Sequence, residues 1–385
     1  MYLVLAEERG IPWDKLRGSV QNDTTLEELI RSGAEYTPPS DCFRVQCDNI
    51  EFIRNSVPQW NFITINGYNL REFGTSGVTE MAVAIANGIA TLEDLKRRGH
   101  DIDLVAERLA FFWSPASDFF EEVARLRAVR RLWYKIMKHR FGAKNPRAMW
   151  MRCHVQTSGV SLVQQEPLNN VIRAAYHALS SVLGGAQSLH VDSYDEAYSV
   201  PTEEAALLSL RTQQIIQEET GVIDVVDPLG GSFYVEALTD EIERRILDEI
   251  DEIERAGGYV ACIENGLLHK KITNYFTTQQ REIEDGQIKI VAYNIYKSET
   301  EPPPINVFRY PEGVEERQRE RLGKLRLRRD NDRVAAALNA LRDACKKKVN
   351  IVPFSVDCAR ARCTEGELYR VFKEAFGLWR PPALW

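Results

Sequence analysis

The chain has 385 residues, of which 44% are hydrophobic and 27% charged, and its formal net charge is −7. This composition is typical of a globular enzyme, and the negative charge argues against a general nucleic-acid-binding protein. A negative net charge is still compatible with a local basic pocket that binds a phosphorylated ligand. The seven cysteines form no CxxC pair, so neither a metal site nor a disulfide framework is indicated. Cysteines used in this way fit a reducing cytoplasm, and no apolar run reaches membrane-spanning length. We therefore expect a cytoplasmic protein that binds neither nucleic acid nor membrane.

Five apolar segments in the first half of the chain are predicted to be β-strands. Their starts lie roughly forty residues apart, which is the spacing of βα units with generous loops. A helical pattern follows each of them. The predicted strands are Leu16–Gln21, Phe62–Tyr68, Arg108–Trp113, Met149–Val155 and Ala186–Val191.

Caps and apolar stripes predict the helices. One runs from Pro167 to Val182, and another follows Thr202 and covers Glu203 to Thr220 before Gly221. The clearest apolar stripe predicts a helix over 237–256. Gly230-Gly231, just before it, is interpreted as a tight turn because no helix is expected to begin there. Two further helices are predicted in the charged tail, at roughly 331–347 and 365–376.

Repeated βα units imply parallel strands, and hence either a doubly wound sheet or a (β/α)8 barrel. Polar residues follow the carboxyl ends of all five strands, which favours the barrel, where those ends meet at one mouth. We therefore predict an α/β fold: the C-terminal five βα units of a TIM (β/α)8 barrel, plus a C-terminal helical tail. The expected domains are the partial barrel at 1–240, a helical extension at 241–296, and a linker with helical segment at 297–385.

The chain begins inside a helical pattern, MYLVLAEERG, with no cap residue before it. Because a barrel needs eight strands and only five are predicted, we expect the first three βα units to be missing from the front.

Seven segments of the chain resemble the methylmalonyl-CoA mutase family, in family order and over nearly the whole length. They are GSVQND (18–23), INGYNLREFG (65–74), ERLAFFW (107–113), FGAKNPRAMWMRCHVQTSG (141–159), AQSLHVDSYDEA (186–197), LRTQQIIQEETGVIDVVDPLGGSFYVEALT (210–239) and RDNDRVAAALNALRDAC (329–345). The resemblance implies the large subunit of an adenosylcobalamin-dependent acyl-CoA mutase. The DxHxxG motif of the family's cobalamin domain does not occur in this sequence, so a small cobalamin-binding subunit and a hetero-oligomer are expected.

The family reaction is a radical 1,2-rearrangement of the carbon skeleton of a CoA ester, such as (R)-methylmalonyl-CoA to succinyl-CoA. The cofactor carries that chemistry, so no protein nucleophile or metal-ligand cluster is expected. Three alternatives stay open. The substrate can be a related ester of the ethylmalonyl-, isobutyryl- or 2-hydroxyisobutyryl-CoA type, the chain can be an inactive truncated remnant, or the barrel can bind CoA or phosphate without cobalamin.

The resemblance implies five residues that act on the substrate. Arg31 would grip a carboxylate, a role that suits a guanidinium, although an exposed loop arginine is the plain alternative. Gln21 would hydrogen-bond the acyl group or simply tie loops together. Tyr68 would shape the radical pocket, or be a core tyrosine. Asn69 stands where the family has His as donor to the thioester carbonyl, and Arg108 would meet the CoA portion.

Four more residues are assigned by the resemblance to the cofactor. Gln156 and His154 would lie beside the corrin and adenosyl group, although a strand His is more often a satisfied core residue. Glu196 would accept hydrogen bonds from the adenosyl ribose, and Asp192 stands in place of a family Asn. Other departures from the family pattern are Ala110, where a serine is usual, and Phe73, at a usually small position.

Overall fold

The computed structural model describes residues 1–30, 37–299 and 305–382. Six short strands occur in this part of the chain, and each of the five predicted segments overlaps one of them. Around the second predicted segment two strands form instead of one: β-pairing begins at Trp60, before the segment, is interrupted at Phe62 and resumes at Ile63. The strands are β1 (Gly18–Ser19), β2 (Trp60–Asn61), β3 (Ile63–Asn66), β4 (Leu109–Trp113), β5 (Arg152–Gln156) and β6 (Ser188–His190).

The strands pair in sequence order. β1 and β2 form a parallel two-stranded sheet in which Gly18 pairs with Trp60. The other four form a sheet in the order β3-β4-β5-β6, and β4, β5 and β6 run parallel, with Phe112 opposite His154. The chain is therefore an α/β protein with parallel strands, and the carboxyl ends of β4, β5 and β6 lie at one edge of the sheet.

Helices fill the remaining chain and mostly follow the strands. The first nine are α1 (Tyr2–Glu8), α2 (Pro39–Ser56), α3 (Tyr68–Glu72), α4 (Gly77–Arg97), α5 (Ile102–Ala106), α6 (Phe119–Lys135), α7 (Pro146–Met149), α8 (Asn169–Leu183) and α9 (Glu203–Glu219). The others are α10 (Phe233–Arg255), α11 (Tyr259–Glu264), α12 (Leu267–Glu284), α13 (Val314–Arg328), α14 (Asn331–Lys347), α15 (Val352–Arg360) and α16 (Glu365–Phe376).

Capping groups account for the helix boundaries. Thr202 caps α9 by accepting a hydrogen bond from the backbone N–H of Ala205 at 3.3 Å, and Gly221 follows with φ +72°, as predicted. α10 begins four residues earlier than predicted, because Ser232 caps it. The expectation that no helix begins after Gly230-Gly231 was therefore wrong.

The described residues pack as two compact units. One combines residues 1–63 with 309–382, and the other covers 64–308. In the first unit a core forms around Leu341, Cys358 and Val371, which α14, α15 and α16 contribute. In the second, Trp113 and Trp133 are almost fully buried beside Phe111. The predicted domain boundaries at 240 and 296 describe segments along the chain rather than these packed units, and they stay predictions.

No helix in the described residues is both long and apolar enough to span a membrane.

Candidate active site

The side chain of Gln156 joins two other predicted site residues at the carboxyl end of β5. Its Nε2 donates to the Tyr68 hydroxyl at 2.9 Å and to Asp192 Oδ1 at 2.8 Å. Tyr68 follows β3 and Asp192 follows β6, so the sheet brings together residues more than a hundred positions apart. The Tyr68 ring also stacks on Phe112 of β4, with centroids 4.8 Å apart and an interplanar angle of 6°. One polar cluster with an aromatic wall results.

Tyr68 and Asn69 open the short helix α3 directly after β3. Gly67, between β3 and α3, packs closely against Trp113, because a Cβ at this position would lie only 2.8 Å from the Trp113 ring. The backbone N–H of Asn69 donates to Asn66 Oδ1 at 3.1 Å, which fixes the start of α3. Both Tyr68 and Asn69 are half-buried. Asn69 therefore lies beside Tyr68 at the same strand end, as the sequence predicts.

Asp192 is buried, with 2% of its surface exposed. Oδ1 accepts the hydrogen bond from Gln156, whereas Oδ2 is buried without a partner in the described part of the chain. Burial, reinforced by the charge of Glu196, raises the pKa of Asp192 to about 8. The group therefore holds its proton near neutral pH, and as a carboxylic acid it can donate a hydrogen bond as the family amide does.

The two histidines of this edge are held neutral. His154 Nδ1 shares a 2.6 Å hydrogen bond with Ser188 Oγ, and its ring lies 5.0 Å from that of Phe112. Burial, with a smaller contribution from His190, lowers the pKa of His154, and burial also lowers that of His190. His190 Nε2 lies 3.6 Å from Asp192 Oδ1. His154 thus borders the polar cluster, but its contacts also suit a satisfied strand histidine.

Sequence reasoning missed Glu72, which the fold places beside this cluster. Glu72 Oε1 accepts hydrogen bonds from the hydroxyls of Ser114 (3.1 Å) and Ser158 (2.9 Å), and Oε2 accepts one from the backbone N–H of Val160 at 2.8 Å. Burial raises the pKa of Glu72 despite these bonds. The available signal was its position four residues after Tyr68, on the same face of α3.

Three carboxyl groups surround Gly159, and we call Glu72, Asp192 and Glu196 the carboxyl cluster. A Cβ at Gly159 would lie 3.1 Å from Glu72 Oε2, 3.3 Å from Glu196 Cγ and 3.5 Å from Asp192 Oδ2. Glu196 is the most exposed of the three, and partial burial together with Asp195 raises its pKa. The cluster offers both donors and acceptors around a position that carries no side chain.

Arg108, Gln21 and Arg31 are the predicted residues for which the structure shows no contact with this cluster or gives no placement. Arg108 lies one residue before β4, at the opposite end of that strand from Trp113, and a five-residue strand is about 17 Å long. Gln21 is exposed and lies two residues after β1, in the unit that contains residues 1–63. Arg31 lies outside the described residues. Their roles stay predictions.

The described residues contain no group of three or more His, Cys, Asp or Glu side chains arranged to hold a metal ion. The carboxyl cluster instead suits a ligand with several hydroxyl or amide groups. Asp192 Oδ2 is a buried polar atom without a hydrogen-bond partner in the described residues, and the lack of a side chain at Gly159 lets the three carboxyl groups approach one another. These features fit the ribose of a nucleoside-bearing cofactor.

Comparison with known proteins supports the resemblance. Residues 1–378 match the family model described as methylmalonyl-CoA mutase. The chain is 40% identical over 381 residues to the 2-hydroxyisobutanoyl-CoA mutase large subunit of Aquincola tertiaricarbonis, covering 99% of this chain and 68% of that protein. It is 40% identical to the methylmalonyl-CoA mutase of Rhizobium meliloti and 37% identical to the mitochondrial one of Homo sapiens. It covers 53% and 50% of those two, so it spans about half the length of these methylmalonyl-CoA mutases.

Proposed function

The chain belongs to the methylmalonyl-CoA mutase family, and on this premise we propose that it is the catalytic large subunit of an adenosylcobalamin-dependent acyl-CoA mutase. The family is one of mutases, which are isomerases. The proposed reaction is the radical 1,2-rearrangement of a carboxylated acyl-CoA, with (R)-methylmalonyl-CoA to succinyl-CoA as the first candidate. The observation that carries the proposal is the hydrogen-bonded set of Gln156, Tyr68 and Asp192 at the strand ends.

We place the parallel strands in the C-terminal part of a (β/α)8 barrel. Their chain-order pairing supports this, since consecutive parallel strands joined by helices are the repeating unit of that fold. The proposed active site lies at the carboxyl ends, where barrel enzymes build theirs.

Adenosylcobalamin supplies the radical chemistry when it is bound. The residues of this chain bind and orient the cofactor and the substrate, and they exclude water from the site. Asp192, protonated near neutral pH, and Glu196, an acceptor, fit the ribose hydroxyls. Gln156 fixes the orientation of Asp192 through its side-chain amide. Tyr68 and Phe112 form the aromatic wall that keeps water from the reacting carbon.

Substrate recognition is assigned to the residues that the resemblance implies. Asn69 donates to the thioester carbonyl in place of the family His, Gln21 contacts the acyl group, and Arg108 meets the CoA portion. Arg31 pairs with the free carboxylate, because a guanidinium makes a bidentate grip on such a group.

A 2-hydroxyisobutyryl-CoA-type mutase is the second candidate. The relative from Aquincola tertiaricarbonis, whose printed name is that of such an enzyme, is as similar to this chain as the bacterial methylmalonyl-CoA mutase is. Asn69 also departs from the usual residue at the thioester, which supports a rebuilt pocket. The same relative is named a large subunit, and this supports a partner subunit and a hetero-oligomer. The cobalamin-binding role of that partner and a cytoplasmic location are further parts of the proposal.

The test is turnover by the assembled enzyme. The chain, as part of a complete (β/α)8 barrel, is combined with a small cobalamin-binding subunit and adenosylcobalamin, and conversion of methylmalonyl-CoA and 2-hydroxyisobutanoyl-CoA is followed by chromatography. We expect product only when chain, partner and cofactor are all present, and at least a tenfold lower kcat/KM for Gln156→Ala. Gln217→Ala, on the exposed face of α9, is the matched control. Conversion without adenosylcobalamin, or an unaffected Gln156→Ala enzyme, would contradict the proposal.

A further inference from the structure

A second concave site lies in the unit 64–308 and borders the carboxyl cluster, since Val160, whose backbone N–H donates to Glu72, lines it. Its volume is about 720 Å³, and it is enclosed by α8, α12, the 288–291 segment and the loops that follow β3, β4 and β5. This size is typical of small-molecule sites. None of the residues assigned above to substrate or cofactor lines it.

Arg173 of α8 is the central charged group of this cavity. It is 9% exposed. Its guanidinium donates to Asn170 Oδ1 at 2.8 Å and to the Val291 carbonyl at 2.8 Å, both neutral acceptors. No carboxylate in the described part of the chain forms an ion pair with it. A buried charge without a counter-ion is costly, and a guanidinium has five N–H donors. The Arg173 guanidinium therefore has the charge and the remaining N–H donors to bind an anion.

The charges around Arg173 point the same way. The cavity is lined by three basic residues, Arg71, Arg173 and Lys289, and by one acidic residue, Asp118. This is opposite in sign to the chain as a whole, which carries −7. Asp118 is already engaged as the cap of α6, accepting from the backbone N–H of Glu121 at 3.1 Å. Arg71 lies 3.6 Å from Glu122, whereas Lys289 has no ion-pair partner among the described residues.

One side of the cavity is apolar. Ile172 and Phe276 line the cavity and stay 65% and 43% exposed, and Ile283 and Ile288 complete this side. Large apolar side chains left open to water beside a buried cation form the usual pattern of a site for amphipathic ligands. Such a ligand would cover them.

We propose that this cavity binds a small organic anion whose carboxylate or phosphate pairs with Arg173 and whose aliphatic part lies against Ile172 and Ile283. A free aliphatic acid and an aliphatic phosphate ester share this chemistry. The site is distinct from the one that handles the acyl-CoA, and its occupancy does not require turnover.

The test is isothermal titration of the full chain with octanoate, octyl phosphate and octanamide. We expect one saturable site for at least one of the two anions, at least tenfold tighter than for the neutral octanamide. The anion that binds better identifies the head group. Equal binding of octanamide, or binding of neither anion, would overturn the proposal. Displacement of the bound anion by CoA would also overturn it, because the cavity would then belong to the acyl-CoA site.

Variants locate the site. Arg173→Gln removes the charge and should weaken binding of the anion at least tenfold. Because Arg173 also holds Val291, Gln280→Trp is the second variant; it adds bulk to the lining from α12 and removes no buried group. Thr278→Trp, an exposed position on the same helix outside the lining, is the matched control. Binding unchanged in Gln280→Trp, or lost equally in Thr278→Trp, would place the anion elsewhere.

Discussion

The departure of Asp192 from the family amide is explained at the residue scale by its surroundings. A buried carboxyl whose neighbours include Glu72 and Glu196 keeps its proton, and the protonated group resembles the amide in both shape and donor capacity. The substitution thus preserves hydrogen bonding near neutral pH, but it introduces a titration that an amide lacks.

Asp192→Asn should therefore stabilise the fold increasingly as pH rises. The folded pKa, about 8, lies above the ordinary value of 3.8. The wild-type group thus lowers the free energy of unfolding progressively as pH rises from about 4 to about 8, by roughly 1.4 kcal/mol per pKa unit. Asn carries no such cost, so the gain of the variant should grow across this window and stay constant above it. Urea denaturation from pH 4 to 9 measures it.

The control for that series is Asp343→Asn, at an exposed position of α14. It should not reproduce the pH-dependent gain. A constant difference between Asp192→Asn and the wild type over the whole window would show that Asp192 is ionised in the fold.

Asn69→His tests whether the site is a weakened form of the usual family site. If Asn69 only replaces His as thioester donor, the reverse change should raise kcat/KM for methylmalonyl-CoA about tenfold or more, because roughly 1.4 kcal/mol of added transition-state stabilisation gives that factor. The assay uses the assembled enzyme. Activity that falls or stays level, with another acyl-CoA the better substrate, would show that the pocket was rebuilt.

At the scale of elements, a buried ion cluster holds the loops of the site. Arg125 of α6 is fully buried and pairs with Glu80 of α4 and Glu122 of its own helix. It also donates to the carbonyls of Ser114 (2.7 Å) and Gly77 (3.1 Å). Because Ser114 in turn donates to Glu72, the cluster connects the end of β4 to the carboxyl cluster.

Arg125→Met should destabilise the protein strongly. The change removes the cation that bonds both Glu80 and Glu122, so that Glu122 keeps the more distant Arg71 at 3.6 Å. Breaking such a buried pair costs about 3–5 kcal/mol. The matched control is Arg244→Met on α10, where the guanidinium is 59% exposed and pairs with Glu241 and Asp248. Such exposed pairs contribute little to stability, because water screens the charges. Denaturant unfolding measures both, and similar losses in the two variants would contradict the assigned role of the cluster.

Strands and most helices could be predicted because their signals are local. The apolar segments and the cap at Thr202 specify elements from their own residues. α13 was missed because it buries no residue and so carries no apolar stripe. α10 was expected too late because a single serine, Ser232, sets its start.

The candidate site was predictable only in part, for a similar reason. Residues at the carboxyl ends of strands in one sheet, such as Tyr68 after β3 and Gln156 in β5, can be expected to meet. The partners of Glu72 come from distant positions along the chain, and Arg173 becomes notable only once its burial is known. Neither burial nor the resulting pKa shift is visible in local sequence patterns.

At the scale of the whole molecule, the two ends of the described chain pack into one unit. Arg360, the last residue of α15, pairs with Glu7 of α1, and Arg362, two residues further on, pairs with Glu8. Asn350 also donates to the backbone carbonyl of Asp48 in α2 at 2.8 Å. These contacts join segments about three hundred residues apart, so the first sixty residues depend on the tail for part of their packing.

Deleting residues 309–385 should therefore loosen α2 while α4 stays protected. Within its own unit, α2 loses its contacts to α15 and its Arg44 stack on Phe376, whereas α4 packs against α6 and α10 of the other unit. Hydrogen exchange measured by mass spectrometry should show faster exchange over Pro39–Ser56 and nearly unchanged exchange over Gly77–Arg97. Deleting only residues 378–385, beyond α16, is the control and should leave both helices protected. Equal loss of protection in α2 and α4 would mean that the two units unfold as one, because local stability follows the cooperative unit rather than the position along the chain.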